Sequence, residues 1–106
     1  MAIAQHTLQK FDIAIAGYIK AVSIKPDFTE AIYNMAIAYR AKGDLKMAID
    51  SYQKVIKIKP DYSEAYYNMA NIFKGLGNLD EALRNYNKAL KIEPQYADVH
   101  INIGNI

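Results

Sequence analysis

The chain has 106 residues, 52% of them hydrophobic, no cysteine and a formal net charge of +2. Disulfides and thiol chemistry are therefore excluded, and the mixed-sign, near-neutral charge offers no clustered basic stripe for nucleic acid. No apolar run approaches the roughly 18 residues of a membrane helix, and Met1–Leu8 has His6 but not the basic start of a signal peptide. The expectation is a cytoplasmic protein with neither a nucleic-acid nor a membrane partner.

Apolar residues at 3.6-residue spacing predict helices near 1–9, 12–25, 29–42, 46–59, 63–76, 80–93 and 97–106. Met1-Ala2-Ile3-Ala4 matches Met35-Ala36-Ile37-Ala38, so the chain is expected to begin inside the first helix of a hairpin, helix A. The next helix, a helix B, carries Ala14 and Tyr18 and is stopped by Pro26. Asp27 then reads as the N-cap of a second helix A, with Glu30 at N3. Ile32, Met35, Ala36 and Tyr39 make that helix's apolar stripe. Gly43 ends it, because glycine takes the left-handed C′ conformation without a Cβ clash. Asp44 caps the following helix B, which carries Ala48, Tyr52, Val55 and Ile56 and ends in Lys57 and Lys59, where cations suit the negative pole of the dipole. The same succession then recurs. Pro60, Asp61 and Glu64 lead into Tyr66, Met69, Ala70 and Phe73. Gly77 and Asn78, with Glu81 at capping-box spacing, lead into Ala82, Tyr86, Ala89, Leu90 and Lys91. Pro94 precedes a final segment with Asp98 near its start. Glu30, Glu64 and Asp98 favour the positive end of the dipole and read as capping rather than catalytic groups.

Pro26, Pro60 and Pro94 fall 34 residues apart, and residues 29–62 and 63–96 align without a gap at 15 of 34 positions. A fixed period of this length means stacked helix–turn–helix units in an all-α solenoid rather than one globular core. The units are a partial repeat 1–28, repeats 29–62 and 63–96, and a partial repeat 97–106. With no polar capping helix evident, the register reads as a fragment of a longer array. Its uncapped ends, with Ile13 and Tyr18 at one and Ile103 and Ile106 at the other, invite a second copy to dock.

These residues resemble the tetratricopeptide repeat over the whole chain. Counting from Thr29, the small residue at position 8 is Ala36 and Ala70, with Gly104 in the last unit. The aromatic at position 11 is Tyr39 and Phe73, and the alanine at position 20 is Ala14, Ala48 and Ala82. The aromatic at position 24 is Tyr18, Tyr52 and Tyr86, and position 32 holds the three prolines. The family's frequent tryptophan at position 4 is replaced by Ile32, Tyr66 and His100. The resemblance implies a right-handed superhelix whose concave groove is lined by helix A. The groove would present Tyr33, Asn34, Ile37 and Arg40, then Tyr67, Asn68, Asn71 and Lys74, then Ile101, Asn102 and Asn105.

Asparagine recurs at this face, as Asn34, Asn68 and Asn102, with Asn71 and Asn105 one turn further on. A side-chain amide offers both donors and an acceptor, so a column of them can hold an extended backbone whatever its side chains. The column is similar to asparagine ladders in O-linked N-acetylglucosamine transferases and their bacterial relatives. Equally, asparagine here could bond neighbouring helices. The chaperone-docking members of the family place lysine and arginine at slots held here by Tyr33, Ile37, Tyr67, Asn71, Asp98 and Asn102, so a carboxylate clamp is not expected. His6 and His100 stand far apart in sequence, and Gly75-Leu-Gly77 lacks the Lys-Ser/Thr of a phosphate loop. No catalytic residue, cofactor or metal is expected. The reading is a protein-interaction scaffold for a protein or peptide segment. The alternatives are the substrate-recognition arm of a glycosyltransferase or sulfotransferase, and a self-assembling scaffold or homo-oligomer.

Overall fold

The structure, a computed structural model, describes residues 5–106 and places six helices among them. They are α1 (Gln5–Ile24), α2 (Thr29–Lys42), α3 (Leu45–Ile58), α4 (Ser63–Gly75), α5 (Leu79–Ile92) and α6 (Ala97–Gly104). No strand occurs among the described residues. The match of Met1–Ala4 to Met35–Ala38 lies outside the described residues. Two compact units divide the chain, Met1–Ile58 and Lys59–Ile106. In the first, α2 packs on α1 and on α3; in the second, α5 packs on α4 and on α6. The architecture is all-α, built of helix–turn–helix repeats of the solenoid class.

Each hairpin turn is written by two residues. Gly43 has φ 96° and Gly77 φ 80°. The Gly43 amide donates to the Arg40 carbonyl at 3.0 Å and the Asp44 amide to Tyr39 at 2.9 Å. Gly77 and Asn78 repeat the pair, to Lys74 and Phe73, at 3.0 and 2.9 Å. Both are Schellman motifs, which satisfy carbonyls that the helix end would orphan. The next residue then starts the following helix: Asp44 Oδ1 accepts from the Met47 amide at 3.2 Å, and Asn78 Oδ1 from the Glu81 amide at 3.4 Å. Glu81 pairs with Arg84.

Two expectations need correction. Asp27 and Asp61 do not cap helices. Pro26 and Asp27 are the central residues of a β-turn closed by the Phe28 amide on the Lys25 carbonyl at 3.0 Å, and Tyr62 closes on Lys59 at 3.1 Å in the same way. The cap positions therefore fall to Phe28 and Tyr62, whose side chains make no capping bond to the helix. Nor is there a break between the helices expected at 1–9 and 12–25; among the described residues α1 runs unbroken from Gln5 to Ile24. Where the other units have Gly43-Asp44 and Gly77-Asn78, this one has Gln9-Lys10. Gln9 has no cheap left-handed conformation and Lys10 no acceptor for an N-cap, so nothing stops the helix. The face of α1 that a preceding helix would cover is open: Ile13 is 70% exposed and Gly17 is exposed, whereas its equivalents Ser51 and Asn85 are buried. Tyr18 is accordingly half-buried, not core.

The core follows the stripes elsewhere. Ala36, Ala48, Ala70 and Ala82 are fully buried, as close approach between helices of a hairpin demands. Tyr52 and Tyr86 fill the hairpins' interiors. Tyr52 meets the ring of Tyr33 edge-on, centroids 5.8 Å apart. Burial, reinforced by Tyr33, pushes the Tyr52 phenol far above its ordinary pKa of 10.0. The folded state thus keeps this phenol neutral while the unfolded chain ionises it. Its contribution is complete below about pH 10 and declines as pH rises further. In urea titrations at pH 9 and pH 11, Tyr52→Phe is expected to lose less stability than the parent. Equal losses would show that this phenol is not shielded.

Candidate amide face of the A helices

On α2, Tyr33, Asn34, Ile37 and Arg40 follow i, i+1, i+4, i+7 spacing and so share one side of the helix. Asn34 and Arg40 are exposed, Ile37 is 42% exposed and Tyr33 is half-buried against Tyr52. The side mixes an apolar patch, an amide and a guanidinium, all open to an incoming chain.

On α4, Tyr67, Asn68, Asn71 and Lys74 repeat that spacing, and all four are partly exposed. Tyr67 packs tilted against Tyr86 at 6.2 Å and Tyr96 at 5.1 Å. Asn102, on α6, is drawn into the same face. Its Nδ2 donates to the Tyr67 hydroxyl at 3.0 Å and to Asn71 Oδ1 at 3.2 Å. Asn71 Oδ1 also accepts from the buried Tyr86 hydroxyl of α5. Lys74 Nζ reaches the Asn102 carbonyl at 3.4 Å, close to the C-terminus of α6 where a cation suits the dipole. Asn105 is exposed just past the end of α6, and Ile101 is exposed on it.

The network has a chemical consequence. Asn71 Oδ1 has both lone pairs engaged, which leaves its NH2 group to donate. Asn102 has its NH2 engaged, which leaves its Oδ1 to accept. Two partly exposed amides are thereby polarised in opposite senses, one a donor and the other an acceptor. A peptide unit presents the complementary pair, C=O and N–H. Sequence placed these residues on one face but did not reveal the bonds among them. The available signal was the exchange of Ile37 for Asn71 at equivalent positions, an amide appearing beside a buried tyrosine.

Among the described residues no group of three or more His, Cys, Asp or Glu could hold a metal ion. No helix of the described residues is long and apolar enough to cross a membrane.

Paired helices of near-equal length, stopped by glycine at a 34-residue interval, define a helical-repeat interaction module. Family models described as TPR repeat and Tetratricopeptide repeat match residues 36–77 and 63–96; the chain carries tetratricopeptide repeats. No curated protein matches it. Among solved structures, MamA is similar at 30% identity and TM-score 0.79, over 84% of this chain and 52% of that one. A second MamA structure has 31% identity and TM-score 0.75, over 83% and 48%. The chain therefore spans about half the length of these relatives. The first TPR of Spaghetti (RPAP3), solved bound to an HSP90 peptide, shares the fold at TM-score 0.84 and 24% identity, over 92% of this chain and 77% of that one.

Proposed function

We propose that this chain is a non-catalytic, cytoplasmic protein-interaction scaffold that holds an extended peptide segment by its backbone on the exposed faces of its A helices. The observation that carries the reading is the opposed polarity of Asn71 and Asn102, a fixed donor beside a fixed acceptor. Asn34 and Asn68 add amides, Tyr33 and Tyr67 add flat contact area, and Ile37, Arg40, Lys74 and Asn105 tune preference. Peptide capture by the RPAP3 repeat on the same fold agrees with this use, although the slots for a carboxylate clamp are differently filled here.

A peptide-display selection on the whole chain supplies the probe. Asn34→Ala, at an exposed position, is expected to weaken the selected peptide about 5–150-fold, two neutral bonds at ~0.5–1.5 kcal/mol each, with an unchanged melting temperature. Selected peptides whose affinity ignores both Asn34→Ala and Asn102→Ala would overturn the proposal.

The same amides would serve a substrate-recognition arm of the O-linked N-acetylglucosamine transferase type, in which the held segment is a protein substrate. Exposed Ile13 and Ile101 favour self-association as a further mode. Sedimentation over a concentration series reads it directly, and a single monomeric species throughout would remove it.

A further inference from the structure

We infer that a cleft in the first unit, away from the amide face, is a second docking site that takes an aromatic side chain flanked by carboxylates from a protein partner. Val22, Pro26, Ile32 and Ile58 wall a cavity of about 260 Å³, with Lys54 and Lys57 at its mouth. That volume lies below the ~300–1,000 Å³ of sites for whole small molecules, and suits one side chain.

The second unit shows what such a side chain would be. Thirty-four residues on from Ile32 and Lys54 stand Tyr66 and Lys88, and there Lys88 Nζ lies over the Tyr66 ring, 5.8 Å from its centroid. In that repeat the chain supplies its own aromatic ring beneath its own lysine. The first repeat keeps the lysine but carries the smaller Ile32, and an open cleft stands at this position. A partner's ring entering beside Lys54 would recreate the cation–π contact of the second repeat.

Charge sets the flanking residues. Lys54 and Lys57 are exposed, one turn apart on α3, and both also line the adjoining surface with Met47, Asp50 and Gln53. Asp50 is the one acid among those lining residues, so the two lysines leave a net positive rim. A carboxylate on each side of the incoming ring complements it.

The probe is a capped Asp-Phe-Asp peptide titrated into the isotope-labelled 106-residue chain and followed by amide chemical shifts. Shifts are expected at Val22, Ile32, Lys54, Lys57 and Ile58, with Asn34 and Ile37 undisturbed. A capped Lys-Phe-Lys peptide should bind at least about tenfold more weakly. Lys54→Glu with Lys57→Glu, both at exposed sites that leave folding intact, should cost about tenfold. Ile32→Tyr should close the cleft as Tyr66 does and abolish the shifts. No shifts at millimolar peptide, or shifts indifferent to both charge reversals, would overturn the inference. Shifts confined to Asn34 and Ile37 would overturn it too, while supporting the amide-face reading.

Discussion

Replacing Tyr86 with alanine is expected to lower the unfolding free energy by about 3–5 kcal/mol, the usual cost of truncating a buried large aromatic. The ring is fully buried and joins Ala70, Ala82, Ala89 and Val99 in one cluster, with Tyr67, Phe73 and Ile103 packed against it. Its hydroxyl also holds Asn71, so truncation removes both volume and the anchor of the amide network. Tyr86→Phe separates the two contributions. It keeps the ring and forfeits only the hydroxyl, for about 0.5–1.5 kcal/mol, the usual net worth of one hydrogen bond, since Asn71 Oδ1 keeps its bond from Asn102. Urea denaturation of the parent and both variants measures the series. A loss for Tyr86→Ala within about 0.5 kcal/mol, as for an ordinary surface change, would mean that the hairpin does not close around this ring.

The second large effect belongs to Gly43→Val. A Cβ at Gly43 would meet nothing within 4 Å, so the substitution introduces no clash with neighbouring side chains. The cost is purely that of holding a β-branched residue at a φ of 96°, about 1–3 kcal/mol. For a chain of this size each kcal/mol moves the melting temperature by about 4–8 °C, so a fall of roughly 5–20 °C is expected. Gly43→Asn, which tolerates the left-handed region better, should lose clearly less. Identical melting curves for the valine variant and the parent would show that this turn does not govern the hairpin.

Helices α2 to α5 could be located to within a residue or two because each boundary is marked in the sequence. Glycine at C′, Asp44 or Asn78 at the N-cap and proline after the B helix act within a few residues of where they stand. The boundary that failed, at Gln9-Lys10, preserves the apolar period while lacking the stop, and periodicity alone carries no punctuation. The aspartates after proline failed for a related reason. A carboxylate three residues before a glutamate suits a cap, but the proline commits its successor to the turn. For the amide face, helical spacing was enough to group Tyr33 with Ile37 and Tyr67 with Asn71. What each amide bonds to was not legible, since Tyr86 and Asn102 approach Asn71 from 15 and 31 residues away.

The difference between Ile37 and Asn71 also bears on how the chain avoids assembling wrongly. Similar repeats invite one helix to pair with the wrong partner during folding. Were α2 to close on α5, the Tyr86 hydroxyl would meet Ile37 and forfeit its bond to the Asn71 amide, worth about 0.5–1.5 kcal/mol net. A mispaired hairpin with otherwise equivalent packing is thus less stable than the correct one by a factor of roughly 2 to 13. One amide in one repeat works as an address label, recognised only by the helix it belongs with.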